Sequence, residues 1–109
     1  MPLEDIESID IGLKTKDGGV ELVITDSGMT TDPEKRFELL REKIRRYATY
    51  INSSEFETDF PSIGRDRVAI RVMCAKAPSE AMAKLRAISI KSNPPVIVPV
   101  VYQHFAPPT

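Results

Sequence analysis

The feature that most constrains this fold is a tight turn between two segments in which apolar and polar residues alternate. Ile9, Ile11 and Leu13 alternate with polar or small residues, and the same two-residue period returns over residues 20–25. The intervening residues 16–19 include an aspartate and two glycines, which favour the positive φ angles of a hairpin turn. We therefore predict a β-hairpin at the start of the fold.

A long helix is predicted after the hairpin. Asp32 can cap a helix N-terminus, and Pro33 suits the first helical position because its missing N–H is not needed there. Asn52 and the serines after it end the pattern. The apolar stripe of this helix comprises Phe37, Leu40, Ile44, Tyr47, Ala48 and Ile51.

A second helix is predicted to open at residues 78–80, Pro-Ser-Glu, and to stop at the Asn-Pro-Pro of residues 93–95. Its inner side comprises Ala81, Met82, Leu85 and Ile88. The connection between the first helix and the next strand, residues 53–66, is longer than usual, so we expect Phe56 and Phe60 to anchor it.

Two further strands complete the predicted fold. Residues 68–74 alternate in the manner of a strand, and residues 96–103 form the last one. Pro99 cannot donate to a sheet ladder, so we place this strand at an edge. The prediction is a single α+β domain over residues 1–109, with a proline-rich tail at 103–109. It is a two-layer sandwich of order β-β-α-β-α-β, with one four-stranded mixed sheet and both helices on one face.

Composition excludes several functions. Fifteen Lys and Arg residues against 16 Asp and Glu give a net charge of −1, which provides no global attraction to nucleic acid or anionic membranes. One cysteine permits no internal disulfide, and no apolar stretch approaches the ~20 residues of a membrane span. We expect a cytoplasmic protein that binds no membrane.

The residues of common catalytic sites are scarce. His104 is the only histidine and adjoins the proline-rich tail, where neighbours rarely hold a general base in place. Cys74 falls on the inward register of its strand, so we expect a packed thiol rather than a nucleophile. Gly18 and Gly19 lie in a hairpin and not at a helix start, which argues against a phosphate loop. We predict no catalytic residue, no metal site and no cofactor.

Acidic side chains leave one alternative open. Asp26 lies beside a flexible loop, and Glu55, Glu57 and Asp59 cluster in the long connection. Carboxylates form an acid/base pair or a cation site only when their environments are fixed and distinct. Two interpretations of these carboxylates stay open. They cap helices and face solvent, or they form an acidic loop site of a small-molecule-binding protein or minor enzyme.

Two surfaces are candidates for binding. If both helices cover one sheet face, the outward register of the strands forms an open face with an apolar centre, which is typical of an interface unless the tail covers it. The candidate interface residues are Val23, Arg71, Met73, Ile97 and Val101. The second surface is a basic flank of the first helix, where cations alternate with apolar side chains. This basic flank comprises Arg36, Leu39, Lys43, Arg46 and Tyr50. The alternative interpretation is that Leu39 and Tyr50 only widen the contact of the helix with the core, while the cations face solvent.

The chain resembles a family of small uncharacterised bacterial proteins. The resemblance rests on residues 20–26 and 39–44, on Phe60-Pro61 with Gly64-Arg65, and on residues 78–81. It covers roughly residues 6 to 92, and the proline-rich final strand departs from it. It implies a bacterial cytoplasmic α+β domain and transfers no site, because the family has no assigned activity.

The function these observations favour is a non-catalytic protein-interaction module, expected to be a homodimer. Its partner is expected to be itself or another protein rather than nucleic acid.

Overall fold

A computed structural model describes residues 13–15, 18–26, 30–91 and 95–104. The strands are β1 (Leu13–Lys14), β2 (Val20–Asp26), β3 (Val68–Cys74), β4 (Ala87–Ile90) and β5 (Val96–His104). The helices are α1 (Pro33–Ile51), α2 (Ser54–Asp59) and α3 (Glu80–Lys84), with a 3-10 turn at Arg65–Arg67. Ile9, Asp10, Ile11 and Gly12, residues 16–17, the loop 27–29, residues 92–94 and the tail 105–109 lie outside the described residues.

The described strands form one mixed sheet in the order β1-β2-β3-β5-β4. The hairpin is confirmed, because β1 and β2 pair antiparallel and Thr15 N donates to Gly19 O at 2.9 Å. Strands β2, β3 and β5 are parallel neighbours, and β4 pairs antiparallel with β5. The predicted α+β class and mixed sheet are confirmed. The placement of α1 and α3 on one face stays a prediction.

The core lies against one register of the sheet. Along β2 and β3 every second residue is buried, from Val20 to Asp26 and from Val68 to Cys74. The helix side chains buried in the same cluster are Leu40, Ile44, Tyr47 and Ile51 of α1, Phe56 of α2 and Met82 of α3. Tyr47 also donates its hydroxyl to Val23 O at 2.7 Å, so a polar bond fixes α1 over β2.

Helix α1 begins and ends where the sequence predicts. Asp32 caps it by accepting a hydrogen bond from Glu34 N at 3.1 Å, and Pro33 occupies the first turn. Asn52 N donates to Ala48 O at its end. Phe37 and Ala48 are only half-buried, because the buried stripe is turned toward Arg36 and Lys43.

The long connection after α1 is a short helix with aromatic anchors. Ser53 caps α2 by accepting from Phe56 N, and the rings of Phe56 and Phe60 lie 5.4 Å apart in the core. Tyr50 of α1 meets Phe56 edge-to-face at 5.8 Å. The two predicted anchors are therefore confirmed.

The predicted second helix is too long. Ser79 caps α3 by accepting from Met82 N at 3.2 Å, but the helix ends at Lys84. Residues 87–90 instead form β4, where Ile88 and Ile90 alternate with Ala87 and Ser89. A period of two with β-branched residues satisfies strand geometry, and pairing with β5 decides between the two structures. The sheet therefore has a fifth strand that the prediction of four lacked.

The last strand is not at an edge, which corrects the argument from Pro99. Val100 N donates to Arg86 O on the β4 side, so by alternation the nitrogen of Pro99 faces β3. The ladder with β3 begins only at the next residue, where Val100 is opposite Ile70. Proline therefore stands just before that ladder, and its missing N–H costs the sheet no hydrogen bond.

Replacing Phe56 by alanine should reduce the free energy of unfolding by about 3–5 kcal/mol, because a fully buried ring leaves a cavity. Chemical denaturation measures the change. Glu55→Ala, at the exposed neighbouring position, is the matched control and should stay within about 0.5 kcal/mol. Equal losses in both variants would show that α2 frays as a unit and that Phe56 does not anchor it.

Candidate functional site: the outward face of the sheet

The outward register of the sheet brings the predicted interface residues into neighbouring rows. Val23 is opposite Arg71, and Arg71 is opposite Val101, so these three side chains cross β2, β3 and β5 in one line. Met73 lies in the next row, opposite Thr25 and Gln103. Because the side chains of one row share a face, the structure places four of the five candidates together.

Arg71 is the polar centre of this face. Its Nε and Nη2 donate to the two carboxylate oxygens of Glu21, each at 2.8 Å, and its Nη1 donates to Gln103 Oε1 at 3.1 Å. The hydrogen bond from Arg71 holds the pKa of Glu21 below its ordinary value, and the same bond raises the pKa of Arg71. A bidentate pair of this kind fixes the geometry of the guanidinium relative to the carboxylate.

Apolar side chains adjoin that pair on β5. The side chain of Ile97 is 60% exposed and that of Val101 is 40% exposed. Pro99 lies between them on the same register and is exposed as well. Val23 and Met73 are half-buried. The face thus combines an internally neutralised charge pair with an exposed apolar row at its β5 side.

The basic flank of α1 is not an exposed surface. Arg36 is buried, and Lys43 is fully buried with its Nζ 5.7 Å from the centre of the Tyr47 ring. Leu39 and Tyr50 are half-buried, and the Tyr50 hydroxyl donates to Asp59 at 2.6 Å. Of the five predicted residues only Arg46 is exposed. The full or partial burial of the other four favours the interpretation that this flank widens the contact of α1 with the core.

Arg36 forms a buried ion pair instead. Its Nε donates to Asp26 Oδ2 at 2.6 Å, and Asp26 is wholly buried at the end of β2. The same guanidinium donates to the carbonyl oxygens of Lys76 and Ala77, each at 3.0 Å. Arg36 therefore connects α1 to β2 and to the segment that follows β3. The only feature of the sequence that could have indicated this ion pair is an arginine three residues after the proline that starts the helix. That feature does not distinguish a buried arginine from a solvated one.

The structure does not gather the carboxylates of the acidic loop site. Asp26 contacts Arg36 near the start of α1, whereas Asp59 contacts Tyr50 near its end, a distance along the helix of ~21 Å. Glu57 pairs with Arg65 at 2.9 Å, and Glu55 is exposed. Within the described residues no group of three or more His, Cys, Asp and Glu side chains is placed to hold a metal ion.

The carboxyl ends of the parallel strands bring three other residues into register. Asp26 is opposite Cys74, and Cys74 is opposite His104, a juxtaposition that the sequence prediction missed because it requires the strand order. Burial, and then the charge of Asp26, raise the pKa of the Cys74 thiol. The thiolate is the nucleophilic form, so a buried thiol with a raised pKa is inert at neutral pH. His104 is exposed.

A cavity of about 520 Å³ lies at the opposite end of β2 and β3, beside the hairpin turn. Thr15, Glu21, Asp66 and Arg67 contribute its polar lining. Gly19 is required here, because a Cβ would lie 2.6 Å from Arg67 O. The glycine pair thus permits close packing of the turn against the 3-10 segment, in agreement with the hairpin interpretation.

Arg36→Leu should reduce the free energy of unfolding by about 3–5 kcal/mol, because it removes the cation from a fully buried carboxylate. The double variant Asp26→Leu with Arg36→Leu should recover part of this loss, since the buried carboxylate that lost its cation is then removed as well. Lys35→Leu, one residue away and exposed, is the control. A loss from Arg36→Leu no larger than that of the control would contradict the structural role of the pair.

Stability should also depend on pH through Glu21. Its folded-state pKa lies below the ordinary value of 4.5, so its stabilising pair is present above that pH and is lost as pH falls through the folded value. The stability difference between wild type and Glu21→Gln should therefore shrink between about pH 6 and about pH 3. Urea denaturation across this range measures it, and a constant difference would contradict the shift.

No helix among the described residues is long and apolar enough to cross a membrane.

Comparison with known proteins gives a match to a family model. Neither the curated proteins nor the solved structures contain a significant match to the chain. A protein-family model does match it, over residues 1–92, which spans the fold from the hairpin through β4 and stops before β5. The chain belongs to this family, the family of unknown function DUF6572.

Proposed function

We propose that this protein is a non-catalytic protein-interaction module that forms a homodimer through the outward face of its sheet. The observation that carries the proposal is the exposure of Ile97 and Val101 on one strand, beside the paired charges of Arg71 and Glu21. Exposed apolar rows rimmed by polar groups are typical of interaction sites.

The electrostatics of the face favour a second copy as its partner. A two-fold interface brings the same patch of both subunits together, so any net charge on the patch repels itself. Here the charge of Arg71 is neutralised by Glu21 through two hydrogen bonds, and the neighbouring polar group, Gln103, is uncharged. Two such faces can meet without like-charge repulsion, which supports a homodimer.

The chemistry at the ends of the strands supports a binding rather than a catalytic role. The Cys74 thiol is buried with a raised pKa, and the Asp26 carboxylate is engaged by Arg36. Because Arg36 and Lys43 are buried, Arg46 is the one exposed cation of the predicted basic flank, which argues against nucleic-acid binding through that flank. A protein with one buried free cysteine suits the reducing cytoplasm, which we propose as its location. A bacterial origin stays a prediction.

The double variant Ile97→Asp with Val101→Asp tests the dimer. Placing carboxylates in the centre of the interface should raise the dissociation constant about thirtyfold or more, the range of an interface hot spot. Sedimentation equilibrium over a concentration series measures the constant, and circular dichroism confirms the fold.

Ala81→Asp is the matched control, because it makes the same change at an exposed position on α3, next to the core residue Met82. It should leave the dimer intact. A wild-type protein that stays monomeric at the highest concentrations, or a double variant that dimerises as well as wild type, would overturn the proposal.

A further inference from the structure

The described part of the chain leaves one long side of β4 without a strand partner. Strand β4 pairs with β5 alone and ends the sheet. Because Val100 N donates to Arg86 O, alternation turns the backbone N–H and C=O groups of Ala87 and Ser89 away from β5. These are the groups that an additional strand would bond.

A groove lies between this edge and α1. Two adjoining cavities of about 400 and 220 Å³ share Ala48 in their linings, and together they extend along α1 from Arg41 to Asn52. That length is ~16 Å, or about five residues of extended chain. Apolar side chains of α1, of β4 and of the residue that follows α3 line it, namely Ile44, Ala48, Leu85, Ile88 and Ile90. The helix nearest in sequence to β4, α3, has only five residues.

The rim of the groove is cationic. Arg41 and Arg45 of α1 are exposed along it, and Lys91 is exposed at the end of β4. Arg45 pairs with Glu42 at 2.9 Å, but both side chains are largely exposed, and such a pair contributes little. Arg41 lies 5.9 Å from the centre of the Phe37 ring and keeps its charge in solvent.

This charge argues against a second copy at the edge. A two-fold pairing of β4 with itself would bring the exposed cations of this rim, Arg41, Arg45 and Lys91, from two copies toward one another. Like-charge juxtaposition of this kind opposes such a pairing. An acidic strand would pair favourably with the same cations.

We infer that the β4 edge and the adjoining groove bind an extended acidic peptide of a partner protein as an added strand. Its backbone bonds the groups of Ala87 and Ser89 that face away from β5, its alternate apolar side chains enter the groove, and its carboxylates meet Arg41, Arg45 and Lys91. Main-chain bonds provide affinity and the groove provides selectivity, as in other cases of strand addition. This surface is separate from the dimer face, so the inference goes beyond the proposed function.

The test uses a fluorescein-labelled octapeptide in which valine alternates with glutamate, and fluorescence anisotropy to measure its affinity. The same peptide with lysine in place of glutamate should bind at least about tenfold more weakly, because like charges then meet at the rim. Amide signals of Ala87 and Ser89 in NMR spectra should shift on binding of the glutamate peptide. Failure of that peptide to bind, or equal binding of both peptides, would overturn the inference.

Two variants locate the site. Ser89→Pro removes an outward N–H and leaves the bonds between β4 and β5 intact, so the fold survives while affinity falls about tenfold. Arg41→Glu with Arg45→Glu should weaken binding further, and Lys35→Glu with Lys76→Glu, a matched charge change at exposed positions outside the groove lining, should not. A peptide that binds Ser89→Pro as well as wild type enters the groove without strand pairing, and that result would also overturn the inference.

The dimer variant separates the two proposals. The double variant Ile97→Asp with Val101→Asp should lose the dimer and keep its affinity for the glutamate peptide. Loss of both activities in that variant, with its fold intact, would contradict a separate site at the β4 edge.

Discussion

The buried ion pair between Asp26 and Arg36 is the interaction on which the rest of this structure depends. It joins the end of β2 to the first turns of α1, and through the carbonyls of Lys76 and Ala77 it fixes the segment that leaves β3. A carboxylate with no exposed surface requires its cation, so the pair restricts where α1 can lie relative to the end of β2. The neighbouring thiol of Cys74 is buried too, and its burial and the charge of Asp26 raise its pKa.

The two candidate surfaces of the protein differ in charge. Between β4 and the adjoining side of α1 lies a groove whose rim is positive. The outward face of the sheet is neutral at its centre, since Arg71 is held by Glu21 and Gln103. The same physical rule, that like charges resist being brought together, is the basis for proposing a second copy at the neutral face and an acidic strand at the cationic groove.

Much of the fold could be predicted because its signals are local. The caps at Asp32 and Ser79 and the period-two register of β3 each depend on a few adjacent residues. The exposed row on β5 was also predictable, because alternation alone separates Ile97 and Val101 from Val98 and Val100. The prediction failed where two local patterns competed: Leu85 and Ile88 suit a helix, but residues 87–90 gain a ladder with β5 only in the folded chain. The prediction from Pro99 that the last strand lies at an edge was wrong for a similar reason. A proline shows that one residue donates no hydrogen bond, but it does not show whether the rest of the strand has a partner.

By itself the sequence determined the secondary-structure elements with strong local signals, the inward and outward registers of the strands and the absence of a recognisable catalytic motif. Those properties reside in periodicity, capping and residue type, which any short segment carries with it. Only the tertiary structure decided the strand order, the burial of Arg36 and Lys43 and the groove beside α1. Each of these depends on which distant residues meet, and an arginine on a helix has the same local pattern whether it faces solvent or a buried aspartate.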